Sequence, residues 1–342
     1  MKKNAWIVSP APFLLTRPTV SKMTIVTAAT LLPQVLILAY VGDIPALVTI
    51  AAAMAGSALA ELAYAIPQRK KAFTDYSALL AGLLAGMLLP STLNPVISLV
   101  VSFTGVLVAR NLFGGAGSFW MHPVAVTIAI AYISNAAFFP QELVTGDGIR
   151  SAGEAFGAFK LDGFAQVPYD QSVTGSINAA FLRLFGIKLP EGYITLFWSS
   201  PSVIPAFRYN ALTLFASIIL IAMDIIDWIV PLIFLATYAL LIHFVSLLPF
   251  VSGNSGGDIL FAFLTSGTLF TAFYLLPEYS TNPRTKAGKV ITGIIAGIAA
   301  FAISGPGGSP AGGAFTVVLV NALNPVIEYL ENRVIASAGD FA

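Results

Sequence analysis

Carboxylates set against long apolar runs are the first residues in this chain with chemistry to offer. Asp75 opens the stretch DYSALLAGLLAGMLLPSTLNP (75–95), and Asp258 stands at the head of GDILFAFLTSGTLFTAFYLLPEYSTNP (257–283). Both stretches have glycine within the run, a Leu-Pro exit and a following Asn-Pro. A helix N-terminus favours a carboxylate through its dipole, so Asp75 and Asp258 read first as caps. A carboxylate close to a hydrocarbon core is also costly, and its recurrence in both stretches favours a second reading, the polar wall of a cofactor site or ion path. Two glycine runs, 114–117 and 305–313, expose backbone N–H groups of a kind that suits phosphate. Neither matches a phosphate-binding fingerprint or follows a strand, and close helix packing accounts for most of these glycines. Arg110 reads as a topology anchor, His122 before Pro123 as a helix-start hydrogen-bond partner, and His243 as a buried, hydrogen-bonded histidine. Asp170 to Ser176, DQSVTGS, reads as a polar turn. No Ser-His-Asp arrangement is readable. The chain has no Cys, which removes thiolate chemistry, disulfides and Cys-held metal clusters. The two His residues lie in unrelated segments, which argues against a bis-His haem.

The elements that must position these groups are set by composition. Of the 342 residues, 57% are hydrophobic and 10% charged, against about 25% charged in a soluble protein. Lipid must solvate part of that apolar content. A net charge of +1 lacks the clustered excess base of a nucleic-acid surface, so no nucleic-acid partner is expected. The N-terminus carries Lys2, Lys3, Arg17 and several prolines rather than a signal-peptide core, so the first span is expected to act as its own insertion signal.

A span needs roughly 20 apolar residues, and about ten candidates follow: 23–41, 44–66, 76–90, 95–110, 119–139, 210–224, 228–248, 257–277, 288–304 and 313–330. The third and tenth are short enough to suggest half-helices. With the N-terminus inside, five of the 17 Lys and Arg residues (Arg150, Lys160, Arg183, Lys188 and Arg208) fall in one long outside segment, 140–209. All the others fall inside, as basic residues prefer. Both termini are then cytoplasmic. The expected fold is an all-α polytopic membrane protein made of two inverted five-helix repeats, 1–139 and 210–342, around an extracytoplasmic segment. Such repeats place binding sites at their interface, near the midplane.

These blocks, in this order, resemble the RnfD/NqrB family, membrane subunits of the Rnf and sodium-pumping NADH:quinone oxidoreductase complexes. Ser9-Pro10 before an apolar span is similar to the family opening. Asp75 to Pro95 resembles its D-x-x-x-L-L-x-G-x-L-L-x-x-x-L-P segment, and GGAGSFWMHP (114–123) its G-G-x-G-x-N-x-F-N-P, with Phe119 and His122 in place of Asn. The block from Gly257 to Pro283, continued by GGSPAGGAFTVVLVNALNPVIE (307–328), resembles G-D-I-L-F followed by E-G-V-A-F-A-V-L-L-x-N; Glu278-Tyr279 stands where the family has Asp-Pro. The length is closer to RnfD than to NqrB.

The resemblance implies a subunit of the bacterial inner (cytoplasmic) membrane that carries flavin in a complex coupling electron transfer to Na⁺ or H⁺ translocation. Its partners would be other Rnf/Nqr-type membrane subunits, a flavin-carrying partner subunit, lipid, and a flavin transferase for maturation. It implies FMN held by a phosphoester to a hydroxyl outside the membrane, and a second, non-covalent flavin such as riboflavin. The family acceptor closes a D-x-x-S-G-A-T-like motif. Counted from Asp170, that position falls on Ser176; aligning Ser-Gly onto Thr174-Gly175 puts Ile177 there, which has no hydroxyl. Ser176 is therefore the acceptor candidate and Thr174 the weaker one. The candidate cofactor-binding residues are Ser176, Thr174, Asp170, Asp258 and Asp75. Phe197, Trp198, Phe207 and Tyr209 are candidate flavin walls, although aromatics at an interface often only anchor the protein. A small-solute channel or transporter with urea-transporter-like inverted repeats is the rival reading.

Overall fold

A computed structural model describes residues 18–140, 167–246 and 258–339, apart from positions 70, 116, 181, 187, 201 and 306–307. Ser9-Pro10, the first part of the long polar segment and Gly257 lie outside the described residues. All regular structure among the described residues is helical.

Local chemistry sets most of the helix starts. Thr19 caps α1 (Val20–Val41), accepting from the Lys22 N–H, and Gly42 closes it at φ +79°. Asp43 caps α2 (Ile44–Ala65) through the Ala46 N–H, with Pro45 in the first turn where no N–H is needed. α3 (Ser77–Leu88) follows a left-handed Tyr76. Asn94 caps α4 (Pro95–Ala109), accepting from the Val96 N–H at 2.9 Å. His122 caps α5 (Pro123–Asn135) as its position suggests, Nδ1 accepting from the Val124 N–H at 3.2 Å.

The polar segment contributes α6 (Asp170–Ala180) and the short α7 (Tyr193–Trp198). Asp170 to Ser176 is therefore helical rather than a turn. After it come α8 (Asn210–Ala222) and α9 (Ile229–Ser246). The next apolar run is broken into α10 (Ile259–Leu264), α11 (Thr268–Phe270) and a π-helical turn, Thr271–Leu275. α12 (Lys286–Ser304) and α13 (Gly312–Gly339) complete the chain.

The interruption falls in the eighth expected span, not in the third or tenth. α3 is short but continuous, and α13 runs for 28 residues. Its cause is local: Ser266 and Gly267 both take positive φ, 52° and 65°, which a right-handed helix cannot hold. The freed polar groups find partners. The Asn210 amide donates to the Leu264 carbonyl at 2.8 Å and to Leu196 at 2.9 Å, and the Thr268 hydroxyl donates to Ala262 at 2.9 Å.

Among the described residues, five helices are long and apolar enough to cross a membrane, and four shorter ones are apolar: Ser77–Leu88, Pro123–Phe138, Asn210–Ala222 and Ile229–Phe244. Large apolar side chains remain outward on them, Leu36, Ile133 and Phe215 each well over half exposed. An exterior of this kind belongs in lipid, and the chain is a multi-pass membrane protein. α2 packs along α4, and α9 along α12, more extensively than any other pairs.

Glycine makes these seams close. A Cβ on Gly56 would overlap the α4 backbone at Leu99, and Cβ atoms on Gly293 and Gly297 would press on Ile233 and Thr237 of α9. Small residues four apart allow this approach. Gly312 and Gly313 are packing glycines too, against Ser304 and Thr271. Gly114, Gly115 and Gly117 correct the packing expectation: all three have positive φ, and beside them there is room for a side chain. They turn the chain.

The two Asn-Pro pairs also differ in use. Asn94 accepts at a helix start, whereas the Asn282 amide donates to the Leu276 carbonyl at 2.7 Å, beyond the π-helical turn.

Candidate functional site

The hydroxyl-bearing helix α6 is tied to the body at both ends. Asp170 is fully buried at its first turn. Its carboxylate accepts from the Thr195 N–H (2.7 Å), the Thr195 hydroxyl (2.5 Å), the Gly192 N–H (3.1 Å) and the Thr174 hydroxyl (3.1 Å). Burial alone would raise this carboxyl, but these four donors outweigh it and hold it below its ordinary value of 3.8. Near the other end, the Asn178 side chain exchanges two hydrogen bonds with the Leu189 backbone, at 2.7 and 2.8 Å.

The three candidates on this helix have different surroundings. Thr174 is buried and its hydroxyl is committed to Asp170. Ser176 is exposed, its hydroxyl donating only to the Ser172 carbonyl one turn back. Ile177 is half-buried. Of the aromatic candidates, Trp198 is exposed and Phe197 half-buried, whereas Phe207 and Tyr209 belong to the core. A Cβ on Gly267 would overlap the Phe207 ring.

Asp75 and Asp258 are not brought to this helix by any contact. Asp258 caps α10, accepting from the Phe261 N–H at 2.9 Å. Asp75 accepts from the Ser77 N–H and hydroxyl and from Arg110. Arg110 is far from a simple surface anchor. It is buried, paired with Glu61 and Asp75, and bonded to Ser77 and Asn111. Its fork of N–H groups is suited to several acceptors at once. His243 is exposed on α9, edge-on to Phe244, rather than buried.

Beside this cluster lies a small, partly open cavity of about 80 Å³ between the helices. α1, α3 and α5 form one side, and the end of α8 with the π-helical turn and the residues after it the other. Its walls combine aromatic Phe119, Phe273 and Tyr274 with polar Ser77, Arg110 and His122. A mostly apolar lining with a few convergent polar groups has the chemistry of a ligand site, at a size well below the roughly 300 Å³ such sites usually reach. Because His122 Nδ1 accepts from the backbone, the proton of the neutral ring resides on Nε2. Sequence alone singles out Arg110, Phe119 and His122 but does not assign them to a cavity. These three lie close along the chain, whereas Thr27, Ser77, Leu220 and Tyr274, which complete the walls, lie far from them in sequence, and only helix packing joins them.

A lipid-facing body, helical throughout its described residues, with a small partly polar cavity between the helices defines the class, a multi-pass membrane protein. The chain belongs to the NQR2, RnfD, RnfE family, which it matches over residues 7–336. It is 24% identical over 340 residues to the D subunit of the proton-translocating ferredoxin:NAD(+) oxidoreductase complex of Clostridium ljungdahlii, covering 96% of this chain and 95% of that one. It is 26% identical over 327 residues to the D subunit of the Na(+)-translocating ferredoxin:NAD(+) oxidoreductase complex of Acetobacterium woodii (94% and 92% covered). It is 24% identical over 346 residues to the D subunit of the ion-translocating oxidoreductase complex of Aliivibrio salmonicida (95% and 96% covered).

Proposed function

We infer that the chain is the membrane-embedded, flavin-carrying electron-transfer subunit of an Rnf/Nqr-type complex that couples electron transport to Na⁺ or H⁺ translocation. The observation that carries this reading is the near end-to-end match to a family whose relatives are named as D subunits of such complexes. The partners are the other membrane subunits of the complex and a flavin-carrying subunit.

The membrane arrangement is ten spans in two inverted repeats, α1–α5 and α8–α13, in the bacterial cytoplasmic membrane. Both termini face the cytoplasm and α6–α7 the outside. Helix packing supports the repeat. The second helix packs on the fourth and the fourth on the fifth in both sets, and the sets meet first on first (α1–α8) and last on last (α5–α13). A twofold axis between the halves produces this pattern.

Ser176 is the residue that would carry FMN. An exposed hydroxyl on an anchored helix is open to a flavin transferase, whereas Thr174 is not. Its Oγ forms a phosphoester with FMN as a flavin dinucleotide donor releases its nucleoside monophosphate. Bound there, the isoalloxazine supplies one- and two-electron redox chemistry. The role of Asp170 is to hold the acceptor helix. A second, non-covalent flavin such as riboflavin would find a donor in the His122 Nε2–H and apolar walls in Phe119 and Phe273, but at about 80 Å³ the cavity is too small to hold it as it stands. Asp75 contributes by fixing Arg110.

Co-expression with a flavin transferase should give a fluorescent band on a denaturing gel, and Ser176→Ala should abolish it. A fluorescent Ser176→Ala protein would move the acceptor elsewhere, and absence of any flavin, covalent or bound, would overturn the redox reading.

A further inference from the structure

One polar feature lies outside both the acceptor helix and the charged cluster. Thr27, Thr30 and Gln34 stand at i, i+3 and i+7 on α1, one face of a helix. The Thr30 hydroxyl donates to the Thr27 carbonyl at 2.8 Å, which leaves its oxygen to accept from the Tyr274 hydroxyl, 3.1 Å away. Thr27 and Tyr274 both line the cavity. Tyr274 is presented by the π-helical turn, where the Leu276 N–H bonds back to the Thr271 carbonyl at 2.9 Å. Such turns concentrate at functional sites.

One turn further along α1, the Gln34 amide donates to the Thr213 hydroxyl of α8 at 3.2 Å. Thr213 donates onward to the Tyr209 carbonyl at 3.3 Å, next to the Arg208–Asp43 ion pair at the end of the bundle. Gln34 is fully buried, and its Oε1 has no hydrogen-bond partner. Exchanging the amide O and N would only move the deficit to the nitrogen. A buried carbonyl oxygen left bare costs about 1–3 kcal/mol, a cost that a bound water removes.

We propose that the α1–α8 seam is a hydrated passage for protons, running from the cavity past Tyr274 and Thr30, through a water on Gln34, to Thr213 and the Arg208 end. Nothing in this row of side chains is charged, so it suits water and the protons water carries better than a resident metal ion. The proposal needs the membrane placement given above but not the flavin.

The chain contains no cysteine, so single cysteines report without background. Full-length Thr30→Cys, Gln34→Cys and Thr213→Cys proteins are treated with a small cationic methanethiosulfonate. Leu31→Cys and Leu38→Cys, at fully buried apolar positions of α1, are the controls. Thiolates form only where water reaches, so the first three should react about tenfold faster than the controls. Equal rates across the set would overturn the passage. Three seam positions on two helices keep the test decisive if one variant fails to fold.

In liposomes holding a pH-sensitive dye and a potassium diffusion potential, the wild-type protein should pass protons and Gln34→Leu should lose that flux. Wild-type flux no greater than that of protein-free liposomes would refute conduction even if the seam is wet. Gel fluorescence of the same samples reads flavin attachment separately, so loss of either property leaves the other standing.

Discussion

At the scale of single residues, the chain places carboxylates where donors already wait. Asp170 is the clearest case. A carboxyl whose folded value is depressed contributes stability above its unfolded value and loses it as pH falls through the folded one. The attachment of α6 should therefore be insensitive to pH from about 8 down to about 5 and fail only below the ordinary carboxylate range. Emission from Trp198, at the end of the α7 helix that Asp170 grips, is a suitable monitor. Asp170→Asn should loosen α6 at every pH and cut flavin attachment at Ser176 without displacing the membrane helices.

Arg110 makes a second test. Arg110→Ala strands Glu61 and Asp75, and removing one partner of a buried pair costs about 3–5 kcal/mol. Arg110→Lys should also lower the melting temperature in detergent, because a single ammonium cannot reach Glu61, Asn111, Asp75 and Ser77 together. Replacing Arg110 and Glu61 together by Met and Leu should be milder than Arg110→Ala.

At the scale of elements, the broken helix α10–α11 depends on one glycine. Gly267 needs positive φ and has the Phe207 ring against it. Gly267→Ala should destabilise the fold, and adding Phe207→Leu should restore only the steric part of the loss. Gly293→Leu should wedge α12 from α9 at about 1–3 kcal/mol, the usual range for overpacking, read as a lower unfolding temperature.

Such features are unevenly legible in the sequence. The apolar runs mark the helices, since length and hydropathy act locally. The break is easily misplaced, because the short third and tenth runs compete with Ser266-Gly267, whose left-handed turn is secured by Asn210 bonding to Leu264 from 54 residues away. DQSVTGS looks like a turn because its helix is held by Asp170 bonding to residues 192–195, a contact no local pattern records. The acceptor position comes from a motif, but the contrast between exposed Ser176 and committed Thr174 needs coordinates. Gly114, Gly115 and Gly117 look like packing residues because composition does not separate a tight seam from a positive-φ turn.

At the scale of the whole molecule, the helices before and after the polar segment enclose the cavity from both sides, and neither group completes its walls alone. The proposed inverted arrangement fixes sidedness. A cysteine at Ser172 should be labelled by an impermeant reagent from outside intact cells, and one at Arg69 or Lys286 only after permeabilisation. Labelling of Ser172→Cys from the cytoplasmic side alone would dismantle both the repeat and the flavin site, since α6 could no longer meet an external transferase.

The unlike duties of Asn94 and Asn282 have an evolutionary corollary. Asn94 needs only a lone pair, so Asp, Ser or Thr should survive there in a saturation library. Asn282 must donate a hydrogen bond to a carbonyl, so Asp should be purged at that position. If the halves descend from one duplicated ancestor, this dipeptide has since come under two separate selections, and grafting one copy's substitutions onto the other would mislead.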